Sequence, residues 1–126
     1  MRISKRYRKL TSSSLFALLL CVSLSVSASS ARIFVLSADD WAQPRAGEVI
    51  VEFDAVRAAI NYWDKSADAI ILLRYPGEDI GELWAAELRD WLISLGVPSD
   101  FIRLVPGTQA ADEIRLVVGD RDELEQ

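Results

Sequence analysis

Apolar and polar positions alternate along the chain in short runs that predict five strands. The first run, at 32–36, is short and suits an opening strand. Residues 48–53 alternate, with Val, Val and Phe on one face and Glu, Ile and Glu on the other, which predicts a half-buried strand. The run Ala-Ile-Ile-Leu-Leu at 69–73 predicts a central strand that is covered on both faces. Two further strands are predicted at 101–105 and 113–118.

Two other stretches have the spacing of three and four residues that is typical of amphipathic helices. The first helix is predicted to follow a cap at Asp54 and to be closed by 66–68. The second is predicted over 79–95, and its end is well marked because Gly96 can adopt the left-handed conformation and Pro98 prevents continuation. Its predicted apolar stripe consists of Ile80, Leu83, Trp84, Leu88, Trp91, Leu92 and Leu95.

The order of these elements predicts one small α/β domain. After the short opening strand the order is β-α-β-α-β-β. Short links and right-handed crossovers favour two main helices on one face of a mixed sheet of about four to five strands, an α+β two-layer sandwich. We assign this domain to 29–118, and we predict that 119–126 is a frayed acidic C-terminal tail.

The beginning of the chain has the pattern of a cleavable export signal over 1–28. Five basic residues precede an apolar run at 15–26, and Val26-Ser27-Ala28 matches the small-x-small cleavage pattern, with Ser29-Ser30-Ala31 as a second choice. A membrane-spanning helix needs about 20 apolar residues, whereas serines interrupt this run. The pattern therefore predicts a periplasmic protein with no membrane span after cleavage.

Removal of this signal would leave a strongly acidic domain. Nine basic and 19 acidic residues remain in 29–126, a net charge of −10, compared with −5 for the whole chain. Such a domain is repelled by nucleic acid and by anionic lipid headgroups, so nucleic-acid binding is excluded. The excess charge favours solubility, or a docking surface for a basic partner or a cation.

The cysteine and histidine content limits the possible chemistry further. Cys21 is the only cysteine and the chain has no histidine, which excludes disulfides, thiol nucleophiles, Ser-His-Asp hydrolysis and zinc sites built from these residues. Lipid attachment at Cys21 would need a small residue before it, and Leu20 is bulky. Carboxylate chemistry, a Ser-Lys pair that uses Lys65, or an oxygen-ligated hard cation stay open. We predict no catalytic residue, no metal site and no cofactor.

Three features of the segment 49–118 occur together: the predicted strand 49–53 with the helix after it, the strand 70–73 that enters a turn, and the segment 90–102, Asp-Trp-Leu-Ile-Ser-Leu-Gly-Val-Pro-Ser-Asp-Phe-Ile. In these features the chain resembles the OmpA-like domain that anchors exported proteins to peptidoglycan. As in 90–102, that family ends a helix with an aromatic-Leu pair and Gly-Val or Gly-Ile. The resemblance implies an α/β fold and, as partner, a cell-envelope protein or a cell-wall component.

The same resemblance implies an altered ligand site. The family grips the peptide stem of peptidoglycan with an Asp after the second strand and an Arg near the start of the second helix. In this chain the turn at 75–79 is shorter, so Asp79 is only a loose counterpart of the acid. Trp84 falls at the position of the arginine and cannot pair with a carboxylate. We therefore expect the fold without the family's Asp/Arg grip.

Five residues are candidate ligand-binding positions. Arg74 and Tyr75 end the central strand, where open α/β sheets tend to bind ligands. Glu78 and Asp79 lie at the start of the second helix, where the helix dipole also favours negative charge for purely structural reasons. Trp41 follows two aspartates in a brief helical turn, and we expect its side chain to be exposed.

Taken together, these patterns predict a non-catalytic, exported periplasmic accessory module that acts by contact. Two alternatives stay open: a small exported enzyme that uses the carboxylates of the second helix, and a peptidoglycan-binding domain with an altered site. Glycosidase carboxylates must face each other across a cleft, which a domain of this size hardly provides. Ligand binding would be favoured if one groove were lined by Arg74, Tyr75, Asp79 and Trp84.

Overall fold

The computed structural model describes residues 30–126. The predicted signal at 1–28, its cleavage point after Ala28, and Cys21 lie outside the described residues. Within 30–126, a mixed sheet with two long helices on one face confirms the predicted α+β sandwich.

Four strands form the sheet: β1 (Arg32–Ser37), β2 (Ala69–Tyr75), β3 (Ile102–Pro106) and β4 (Glu113–Asp120). Their order across the sheet is β1-β4-β2-β3. The last strand, β4, lies antiparallel between β1 and β2, and β3 runs parallel to β2. The opening strand therefore joins the sheet as an edge strand.

The helices differ greatly in length. The short ones are α1 (Ala38–Trp41), α2 (Gly47–Ile50) and α5 (Arg121–Leu124), and the long ones are α3 (Asp54–Trp63) and α4 (Asp79–Ser94). A 3-10 turn covers Ser99–Phe101. The core lies between the sheet and the two long helices, because α3 packs on β1 and β4 while α4 packs on β2 and β3.

Side-chain alternation along the strands assigns the two faces of the sheet. Ile71 and Leu73 of β2 pair with Val118 and Leu116 of β4, and all four are fully buried against the helices. The intervening residues point to the other side, where α5 contacts β2 and β4. That side is called the outer sheet face below.

The predicted strand at 48–53 is wrong. The segment forms α2 and a turn, and Phe53 precedes the first residue of α3. Ile50, which the alternation had placed on the polar face, is fully buried, whereas Val51 is exposed. Apolar residues at 49, 50 and 53 fit one face of a helix as well as a strand pattern does, so six residues were too few to distinguish the two. With β1 as first strand, the four strands and two long helices run β-α-β-α-β-β.

The predicted end of α4 is confirmed, whereas the predicted frayed tail is wrong. Gly96 has a φ of +105° and the Val97 N–H donates to the Leu92 carbonyl at 3.0 Å, which confirms the predicted helix end. The predicted frayed tail is instead packed: its first two residues belong to β4, and the Arg121 N–H donates to the Asp68 carbonyl at 3.1 Å. Glu125 also pairs with Arg103 at 2.8 Å.

Candidate functional site

Trp41 is a core residue, contrary to the expectation that it would be exposed. Its side chain is 8% exposed, and its ring centroid lies 6.1 Å from that of Trp84 and 6.4 Å from that of Phe53. Arg45 covers the outside of the ring at 5.1 Å and donates to the Trp41 carbonyl at 2.9 Å. The single turn of α1 after the Ser37 cap directs the indole inward, so Trp41 contributes packing rather than a binding surface.

The two candidates at the end of β2 lie on opposite faces of the sheet. Tyr75 is buried on the helix side, and its carbonyl accepts from the backbone N–H groups of Gly107 (2.9 Å) and Thr108 (3.2 Å). Arg74 is exposed on the outer sheet face. One ligand site therefore does not contain both side chains.

The start of α4 carries a cluster of exposed carboxylates. Glu78 precedes the helix, and Asp79 and Glu82 lie in its first turn. Within residues 30–126 none of the three pairs with a basic side chain. Their charge is favoured by the helix dipole, and it is also free to meet a partner from outside.

Two large apolar side chains beside these carboxylates are exposed to solvent. Ile80 is 79% exposed and Leu83 is 71% exposed, although the sequence placed both in the buried stripe. The buried side of α4 consists of Gly81, Trp84, Ala85, Leu88 and Leu92. Seven apolar positions cover a wider arc than one helix face can bury. The pair Ile80 and Leu83, with Glu78, Asp79 and Glu82, is called the α4 surface below.

A pocket of about 270 Å³ adjoins the α4 surface. Its walls are the turn after β2, the first turns of α4 and the loop after β3, so it lies at the carboxyl ends of the two parallel strands. Trp84, Thr108 and Gln109 contribute side chains to it, and Glu78 is its one carboxylate. Asp79 lines a more open depression next to it. Of the four residues whose shared groove would favour ligand binding, only Trp84 lines this pocket.

Close packing holds the first turn of α4 against the turn after β2, and both line this pocket. A Cβ atom built on Gly81 would lie 2.0 Å from the carbonyl oxygen of Pro76 and 2.9 Å from its carbonyl carbon. The turn after β2 thus contacts the backbone of the helix directly, which only glycine permits.

Trp84 carries an unpaired polar group beside the pocket. Its Nε1 is buried and has no acceptor among residues 30–126. Trp63 is different, because its Nε1 donates to the Ala69 carbonyl at 2.9 Å. The Trp84 indole supplies an apolar wall, and its buried N–H costs stability.

A second pocket, of about 300 Å³, lies between α1 and the α2–α3 junction, and the sequence did not indicate it. Asp40, Glu52 and Asp54 line it. Asp40 accepts from the Ser37 hydroxyl at 2.9 Å, and Asp54 pairs with Arg57. The described residues include no group of three acidic side chains arranged to hold a metal ion.

The described part of the chain contains no helix that is long and apolar enough to span a bilayer. No protein-family model, no curated protein and no solved structure matches the chain.

Proposed function

We propose that the protein is an exported, non-catalytic interaction module of the periplasm, and that its partner docks on the α4 surface. The export pattern at 1–28 supports the location. The observation that carries the proposal is the exposure of Ile80 and Leu83 beside three carboxylates without basic partners in 30–126.

Single exposed apolar residues are normal on protein surfaces. Ile80 and Leu83, however, are three residues apart on one helix and are the two most exposed large apolar side chains of 30–126. Ile80 also lines the adjoining pocket and the depression next to it, so the apolar surface of the helix continues into both. Complete burial of each side chain would contribute roughly 1.5–3 kcal/mol before the costs of association.

The carboxylates define the chemistry of the partner. A partner segment that covers Ile80 and Leu83 comes close to the three carboxylates of the α4 surface. Lysine or arginine at the rim of that segment would therefore interact favourably with them. The net charge of −10 over 29–126 also steers a basic partner toward the domain. The partner is therefore a cell-envelope protein segment that combines apolar and basic side chains.

The OmpA-like build belongs to the same proposal. It is supported by the β-α-β-α-β-β order with β1 as first strand and by the helix end at Gly96. The likeness over 49–53 is lost, since that segment is α2 and a turn. The burial of Trp84 and the position of Asp79 outside the 270 Å³ pocket support an altered grip.

One observation favours a second candidate, a cell-wall binding domain with an altered site. The 270 Å³ pocket at the strand ends combines an aromatic wall from Trp84 with polar side chains from Thr108 and Gln109, which suits a small polar group. A pull-down with purified peptidoglycan tests it. Saturable binding that Asp79→Ala abolishes would contradict the altered grip, and saturable binding that only Thr108 or Gln109 substitutions abolish would favour this second candidate.

The docking proposal is tested by photo-crosslinking in cells that produce the protein. A photoreactive amino acid at position 83 is expected to give a discrete adduct with another protein. The matched control is position 93, because Ile93 is an exposed apolar residue near the other end of the same helix. Equal adducts at the two positions, or an adduct at 93 alone, would contradict the proposal.

Two further variants separate contact from folding. The first is the double variant Asp79→Lys/Glu82→Lys, whose reversed charges should lower the yield of the adduct at position 83. Ile80→Ser is expected to change the free energy of unfolding by no more than about 0.5 kcal/mol, because the side chain is mostly in solvent. A lost adduct in a variant of unchanged stability therefore reports a lost contact.

A further inference from the structure

The outer sheet face holds two arginines directly opposite each other. Arg74 of β2 pairs with Arg115 of β4 in the antiparallel register. Side chains in such opposite positions have Cβ atoms about 4.5–5.5 Å apart, and like charges there destabilise a sheet. Val35 of β1 and Val105 of β3 complete the same cross-strand row.

The charge of this pair is only partly compensated. Arg115 pairs with Glu113 at 2.6 Å, whereas Arg74 has no acidic partner within residues 30–126. Acidic residues outnumber basic ones 19 to nine in 29–126, so an unpaired arginine opposite another arginine is unexpected in this domain. On this face, one carboxylate therefore accompanies two guanidinium groups, and it pairs with only one of them.

Apolar surface adjoins the two arginines. Val35 is 49% exposed and Ile33 is 57% exposed, and both lie on the outer sheet face of β1. β1 is an edge strand with an unbroken register and no proline, so within 30–126 one side of its backbone has no strand neighbour. Leu124 of α5 lies near Gly119, toward the other end of this face, and leaves the row of Arg74 open.

We propose that the outer sheet face binds an acidic segment of a partner protein, whose carboxylates meet Arg74 and Arg115 and whose apolar side chains cover Ile33 and Val35. The planar guanidinium fork matches a carboxylate with two parallel hydrogen bonds. A bound carboxylate also removes the repulsion between the two arginines, so the free domain carries an unfavourable pair that binding relieves.

The charge distribution favours this occupant over others. Nucleic acid or an anionic membrane would meet the field of the whole domain, with its net charge of −10, whereas a short acidic segment meets only the local row of arginines. A second copy that stacked the same face would oppose arginine to arginine. This surface lies on the opposite side of the sheet from α4 and does not depend on the α4 surface.

A peptide selection tests the proposal with the protein purified after export. The probe is a library of random peptides, about twelve residues long, displayed on phage. We expect a retained class that mixes Asp or Glu with apolar residues and that binds the Arg74→Glu variant at least about tenfold more weakly, because one charge-assisted contact is lost. The affinity of this class should also fall with rising salt.

The matched control is Lys65→Glu, which reverses an exposed charge that has no ion pair within 30–126 and lies outside this face. It should leave the acidic peptides bound. Acidic peptides that bind Arg74→Glu as well as the wild type would overturn the proposal, and so would a retained set without acidic residues. Self-association that Arg74→Glu abolishes, measured by sedimentation, would also overturn it, because the occupant would then be a second copy.

The same selection keeps the two surfaces distinguishable. Basic peptides that are lost with Asp79→Lys but kept with Arg74→Glu report the α4 surface. Acidic peptides with the reverse dependence report the outer sheet face. If the selection retains no peptides of one class, the result for the other class still stands.

Discussion

Gly81→Ala sets two effects of known sign against each other. In an exposed helix position, alanine is favoured over glycine by about 1 kcal/mol. Gly81 is buried, however, and a Cβ atom there would lie 2.0 Å from the Pro76 carbonyl oxygen, whereas non-bonded heavy atoms are attracted best near 3.5–4.0 Å. The atoms that clash belong to backbone, so no side-chain rotation relieves them.

The clash must therefore displace the first turn of α4 or the turn after β2. Overpacking of this kind costs roughly 1–3 kcal/mol, and a conflict with backbone belongs at the upper end. After subtraction of the helix propensity, we expect a net loss of about 2 kcal/mol in the free energy of unfolding. For a domain of this size, that corresponds to a melting temperature roughly 8–16 °C lower.

Urea unfolding followed by tryptophan fluorescence measures this change, with the curve of each variant referred to wild type. Ala86→Gly is the matched control, because Ala86 is an exposed position of the same helix and its substitution isolates the propensity term at about 1 kcal/mol. A Gly81→Ala protein as stable as wild type, or more stable, would refute the close contact. The displaced first turn should also weaken the crosslink at position 83.

Three smaller predictions concern single side chains. Trp63→Phe should lower the free energy of unfolding in urea by roughly 1 kcal/mol more than Trp84→Phe does, because of these two indoles only that of Trp63 donates a hydrogen bond. The reverse order would contradict the unpaired Trp84 indole. Arg74→Glu should raise the free energy of unfolding by roughly 0.2–1 kcal/mol at low salt, since it faces Arg115 with the opposite charge; a thermal melt that shows a loss argues against the register. Leu92→Ala should cost about 2–5 kcal/mol by denaturant titration, and a cost below about 1 kcal/mol would place α4 off the sheet.

The elements that the sequence predicted well have strong local signals. The continuous apolar run of β2 and the spacing of α3 and α4 specify buried faces without reference to the rest of the chain. Gly96 and Pro98 specify the end of α4 through backbone conformation alone. The segment 48–53 lacked such a signal, because its alternation was as compatible with a helical turn.

The candidate sites were harder to predict, because they depend on which surfaces meet in space. Ile80 and Leu83 had the spacing of core residues, and only the packing of α4 on the sheet shows that its buried arc excludes them. Trp41 turned inward because α1 is a single turn against the core. The pairing of Arg74 with Arg115 follows from the register of β2 and β4, which joins residues far apart in sequence.

The position of β4 determines when the sheet can be completed. Among the four described strands β4 is synthesised last, yet it lies between β1 and β2, and Arg32 has no strand partner other than Val118 within 30–126. A nascent chain can pair β2 with β3 early, but β1 must wait until β4 has also been synthesised. Loss of only the last dozen residues, 115–126, would remove most of a central strand and leave β1 without its neighbour.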